Sequence, residues 1–95
     1  MSDDQVVSRT VTIVNQRGLH ARAAARFVAL AERFGAAVEV LRDGQAPVSA
    51  RSIMGLMMLV AGPGESLELR AQGWDAKEAV DALAALVESG FNEQE

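Results

Sequence analysis

The apolar residues of this chain recur with two periods that alternate along it, and that alternation limits the folds open to it. In Ser8 to Val14 (SRTVTIV), Val11 and Ile13 alternate with Thr10 and Thr12, the pattern of a half-buried strand rich in β-branched residues. From Ala21 to Phe34 the period changes: Ala24, Phe27, Val28, Ala31 and Phe34 share one helical face, with Arg33 and Gly35 as the stop signal. AVEVL at 37–41 returns to alternation, Asp43-Gly44 suits the positive φ angles of a two-residue hairpin turn, and a short strand is expected around Val48. Ser52 then precedes IMGLMMLV, which reads as a short helix ended by Gly62-Pro63-Gly64. Glu65 to Ala71 (ESLELRA) alternates again. The last segment opens on Asp75 with Glu78 three residues on, a variant of the capping box. Its stripe of Ala76, Ala79, Val80, Leu83, Leu86 and Val87 closes at Gly90, and the tail FNEQE is expected to fray.

The order is therefore β-α-β-β-α-β-α, without internal repeat or linker. In 95 residues there is room for one core, so residues 1–95 are expected to form a single domain, ordered over about 7–90. Alternating strands and amphipathic helices demand two layers: one sheet, with helices on one face and water on the other. The expected class is α+β, an open-faced β-sandwich: a four-stranded sheet with three helices on one face.

Composition removes several functions. A net charge of -4 and a pI near 4.9 argue against nucleic acid as a partner. Without cysteine, disulfides and thiol chemistry are excluded, and a single histidine makes a metal site improbable; no metal and no cofactor are expected. The N-terminus MSDDQVVS is acidic where a secretory signal is basic and then apolar, so a cytoplasmic location is expected. The longest apolar run, Ile53 to Ala61, is interrupted by Gly55 and falls far short of the roughly 20 residues of a membrane span.

The one histidine lies in NQRGLHARAA (15–24), where the first strand has ended and the first helix begins. Helix N-termini present N–H groups without intrahelical acceptors and carry partial positive charge, so they welcome anions. A positive end also favours neutral imidazole, the nucleophilic form. Arg22 in the first turn offers fork-like donors to phosphate oxygens, Arg17 is a second cation, and Gly18 permits a turn that a side chain hinders. These features fit a phosphoryl-accepting His20. Taken singly they also fit a surface or capping histidine, a punctuating glycine and two ordinary arginines.

The string GLHAR (18–22) resembles the active-site signature of the HPr family, the histidine-containing phosphocarriers of the bacterial phosphotransferase system. SIMGLM (52–57) resembles that family's second signature, a regulatory serine followed by a short apolar helix. The separation of the two motifs, the element order and the length fit as well, over roughly Ser8 to Gly90. The resemblance implies that His20 is phosphorylated on Nδ1 by phosphoenolpyruvate-charged enzyme I, that Arg22 steadies the phosphate, and that an EIIA-type acceptor protein takes the group on. It also implies the antiparallel strand order one-four-two-three; a monomer is the default expectation for a carrier whose partners share one small face, with self-association through the methionine patch left open. Where the family usually has proline after HAR, this chain has Ala23, which keeps an N–H that a phosphate can use; a small effect on local rigidity is expected.

Ser52 is well placed as an N-cap, and that alone accounts for a serine there. The resemblance adds phosphorylation of Ser52 by HPr kinase/phosphorylase. A two-layer domain cannot bury every apolar residue of IMGLMMLV, so Ile53, Met54 and Met57 are expected in part on the surface as a flexible docking patch for partners. A phosphate on Ser52 at the edge of that patch opposes docking by repulsion and desolvation. A regulatory module of the nitrogen-related branch, whose phosphorylation state controls target proteins, is the alternative to a carrier in sugar transport.

Overall fold

The computed structural model describes residues 6–93; the acidic segment 1–5 and residues 94–95 lie outside them. Seven elements follow in the expected order: β1 (Val6–Thr12), α1 (Ala21–Ala31), β2 (Ala37–Leu41), β3 (Val48–Ser49), α2 (Ile53–Met58), β4 (Ser66–Gln72) and α3 (Ala76–Glu88). The four strands form one antiparallel sheet in the order β1-β4-β2-β3. The pairing Val11↔Leu67 and the alignment of Val40 with Leu69 place apolar side chains on one face. That face carries Val11, Val38, Val40, Leu67, Leu69 and Ala71, all buried, while Thr10, Thr12, Ser66 and Arg70 remain exposed. The core is closed by Phe27 and Val28 of α1, Leu56 of α2 and Val80, Leu83 and Val87 of α3. No helix among the described residues is long and apolar enough to cross a membrane.

Five local expectations are corrected. β1 begins and ends two residues earlier than the alternation suggested, although Ile13 stays buried and its N–H still reaches the Glu65 carbonyl at 2.9 Å. α1 stops at Ala31; Arg33 and Phe34 then bond back three residues, and Gly35 does not take a positive φ. A Cβ at Gly35 meets only the ring of the exposed Trp74, a side chain free to move. Asp43-Gly44 does turn the chain, with Gln45 N–H donating to the Arg42 carbonyl at 3.0 Å, but only Gly44 has positive φ, and the ladder resumes at Val48. A two-residue hairpin of either mirror-image type needs positive φ at its first central residue, here Asp43. α2 ends at Met58, before Gly62-Pro63-Gly64, and Val60 just beyond it takes φ 52. A β-branched residue in that region costs roughly 1–2 kcal/mol; Arg42 braces it by donating to the Leu59 and Val60 carbonyls at 2.5 and 2.8 Å.

The fifth correction concerns Asp75. Its side chain makes no capping bond to α3. The carboxylate accepts instead from the N–H groups of Gly35 and Ala36, at 2.8 and 2.7 Å, and Asp75 is only 5% exposed. It therefore locks the α1–β2 connection to the start of α3. Asp75→Ala strands these donors and is expected to cost about 2 kcal/mol, a fall of about 10 °C in the melting midpoint. An unchanged midpoint by calorimetry contradicts that role.

Candidate functional site

The loop from β1 to α1 is shaped by its contact with the α2–β4 connection. Leu19 N–H donates to the Ala61 carbonyl at 2.9 Å, and Gly18, with φ 64, lies so close that a Cβ meets the Ala61 oxygen at 2.4 Å. Asn15 braces the turn from inside: it is 2% exposed, its carbonyl accepts from Gly18 N–H, and its Nδ2 donates to the Gly18 carbonyl at 2.8 Å. The chain thus delivers His20 as the N-cap of α1. The His20 carbonyl accepts the helix's first bond, from Ala24 N–H at 2.8 Å, so the N–H groups of 21–23 precede the intrahelical ladder. One of them, that of Arg22, donates to His20 Nδ1 at 3.3 Å.

His20 opens onto a cleft of about 450 Å³ lined by Gln16, Arg17, Arg22, Arg26, Asn92 and Glu93. Three arginines around one imidazole make this a cationic recess in an acidic protein. The expected His20 and Arg22 are brought together there, with Arg17 beside them. Ala23 follows with its methyl fully buried.

Two components were not foreseen. Arg26 sits one helical turn beyond Arg22, a spacing that puts both on one face. The other is the tail, which was expected to fray. Beyond α3, Phe91 N–H donates to the Leu86 carbonyl at 2.9 Å and Gly90 N–H to the Val87 carbonyl at 3.0 Å, the Schellman arrangement. Gly90, Phe91 and Asn92 all have positive φ, which turns the chain back toward α1. Phe91 is fully buried, and Arg26 Nη1 donates to its carbonyl at 2.5 Å. Glu93 is thereby delivered to the cleft, where its carboxylate bonds His20 Nε2 and accepts from Asn15 Nδ2 at 3.4 Å.

The bond to His20 is the main reason that the Glu93 carboxyl is held below the usual carboxylate range; Asn15 and the charge of Arg17 add to it, and burial opposes it. A carboxyl depressed by folding stabilises fully above its unfolded value, near 4.5, and loses that contribution as pH falls through the lower folded value. From about pH 5 downward, where the carboxyl titrates, the stability gap between the wild type and Glu93→Gln is therefore expected to close. Urea titrations at stepped pH measure the gap, and a gap that widens in acid contradicts the assignment.

Ser52 is the N-cap of α2, the helix that precedes the Ala61 contact in the chain. Its Oγ accepts from Gly55 N–H at 2.9 Å. The helix is short, and only Leu56 within it is buried. Ile53 and Met57 are each 40% exposed and Met54 73%, and Met58 and Val60 are exposed as well. The docking residues singled out in the sequence are thus exposed.

Comparison with known proteins gives one consistent result. A protein-family model described as the PTS HPr component phosphorylation site matches residues 7–89. The phosphocarrier protein HPr of Cupriavidus necator is 47% identical, the match covering 95% of this chain and all of the relative. The phosphocarrier protein NPr of Shewanella violacea is 44% identical, covering 92% of this chain and 94% of its own. Among solved structures, HPr-C-His from Thermoanaerobacter tengcongensis superposes with a TM-score of 0.87 at 43% identity, covering 94% of this chain and 99% of that one.

Proposed function

The chain belongs to the HPr family of phosphocarrier proteins of the phosphotransferase system, and we propose that it carries the phosphoryl group on His20 Nδ1. The observation that carries this reading is the position of Nδ1: it faces the N-terminus of α1, against Arg22 N–H, in a cleft lined by Arg17, Arg22 and Arg26. A phosphoryl group formed there meets backbone N–H donors and cations together. Enzyme I charged by phosphoenolpyruvate is the donor and an EIIA-type protein the acceptor. The group moves between nitrogens whose bonds to phosphorus are labile, so the protein supplies position and electrostatics. Incubation with enzyme I and radiolabelled phosphoenolpyruvate tests the reading: the label must be acid-labile and alkali-stable, and an unlabelled wild type refutes it.

Ser52 is the regulatory position in this reading, phosphorylated by HPr kinase/phosphorylase. Its hydroxyl already occupies a helix N-cap, where a phosphate is tolerated, and it adjoins the apolar surface of Ile53, Met54 and Met57. Ser52→Asp is expected to slow uptake from enzyme I about tenfold, since an unscreened charge at a docking rim opposes association; wild-type uptake kinetics in that variant remove the gate. The match to an NPr favours a second reading, a module of the nitrogen-related branch whose phosphorylation state controls target proteins.

A further inference from the structure

We infer that Glu93 is a positioning residue for phosphoryl transfer: its carboxylate holds His20 in the tautomer that keeps the proton on Nε2 and leaves the Nδ1 lone pair free to attack phosphorus. The inference rests on the phosphocarrier reading of His20. The two ring nitrogens of an imidazole are distinct, and the partner of one decides where the proton sits. Nε2 faces Glu93 Oε1, and an ionised carboxylate only accepts, so that nitrogen must donate. Nδ1 receives the N–H of Arg22 at 3.3 Å, which requires a lone pair there. Both neighbours therefore impose the same tautomer. The side chains of His20 and Glu93 are only 15% and 11% exposed, so water competes weakly for either group.

Glu93 is itself held in place. Asn15 Nδ2, anchored on the Gly18 carbonyl, reaches both carboxylate oxygens at 3.4 Å, and the buried Phe91 pins the chain two residues before. In the transfer, the Nδ1 lone pair forms a bond to phosphorus while the donor's nitrogen–phosphorus bond breaks, its electron pair staying on the donor nitrogen. The donor ring keeps its other proton and leaves as neutral imidazole. The His20 ring, still protonated on Nε2, takes up one positive charge, and the Glu93 carboxylate stands against that charge as it forms. Phosphate grows on the other ring nitrogen, beside Arg22.

The test reads the ring nitrogens by NMR of 15N-histidine-labelled protein at neutral pH, and uptake kinetics with phosphorylated enzyme I. Wild type is expected to show an unprotonated Nδ1 and a protonated Nε2. Glu93→Gln retains an oxygen for Nε2–H, so it should keep these shifts while losing about tenfold in kcat, with KM within about twofold. Glu93→Ala should lose more in kcat and move both shifts toward a tautomer mixture. Wild-type shifts in Glu93→Ala, or wild-type kcat in both variants, overturn the inference. An unlabelled wild type instead defeats the phosphocarrier reading, and the ring-nitrogen shifts then decide by themselves whether Glu93 sets the tautomer.

Discussion

His20→Ala leaves no phosphoryl label on the protein after incubation with enzyme I and phosphoenolpyruvate, while the fold persists. The expected loss is total because His20 is the only histidine and the chain has no cysteine, so no other side chain offers a nitrogen or thiolate nucleophile of comparable reactivity. The remaining cleft, with Arg17, Arg22 and Arg26, still attracts anions but has no atom to bond to phosphorus. Stability should fall by about 1 kcal/mol without unfolding the domain, since His20 lies outside the core but caps α1 through Arg22 N–H and bonds Glu93. Acid-labile label on His20→Ala sinks the assignment; so does label on wild type that survives acid and is lost in alkali.

The second large effect belongs to Gly18. A side chain there faces two penalties: φ of 64, and a Cβ 2.4 Å from the Ala61 oxygen and 3.0 Å from Gly62 Cα. Both obstacles are backbone, which cannot swing aside as a side chain can. Relief requires the α2–β4 connection to move off, breaking the bond from Leu19 N–H to Ala61. Gly18→Val is expected to cost about 4 kcal/mol, combining left-handed strain with the steric displacement. For a domain of this size that lowers the melting midpoint by about 20 °C. Because the collision is at Cβ, Gly18→Ala should lose most of the same amount. Gly64→Ala is the control: φ is 85 there but nothing lies within 4 Å, so only the conformational cost of about 1 kcal/mol remains. Equal midpoints for Gly18→Ala and Gly64→Ala contradict the role given to the Ala61 contact.

The layers and the sheet's buried face were legible in the sequence because they follow from periodicity: Val11, Ile13, Leu67 and Leu69 announce an inner face, and the stripe from Ala76 to Val87 announces its cover. His20, Arg22 and Ser52 stood out because their motifs are contiguous. What stayed hidden depends on residues distant in sequence. Asp75 reads locally as a cap, yet its carboxylate serves Gly35 and Ala36, some 40 positions earlier. Phe91 and Glu93 sit in a short polar tail with no periodicity to read. A signal was present nonetheless: an apolar residue directly after Gly90 suits the position at which a Schellman end buries a side chain. Arg26 was recoverable too, from its spacing to Arg22 on a helix already recognised.

The return of the tail to His20 has a consequence for the order in which the protein is made. His20 and Glu93 are separated by 73 positions, and a growing chain leaves the ribosome N-terminus first. The GLHAR corner is synthesised early, but its carboxylate arrives only after residue 93 has left the ribosome. A chain cut short at Asn92 keeps every strand and helix and lacks one partner of its histidine permanently, so C-terminal trimming is a lesion of the reactive centre that measurements of folding alone would overlook.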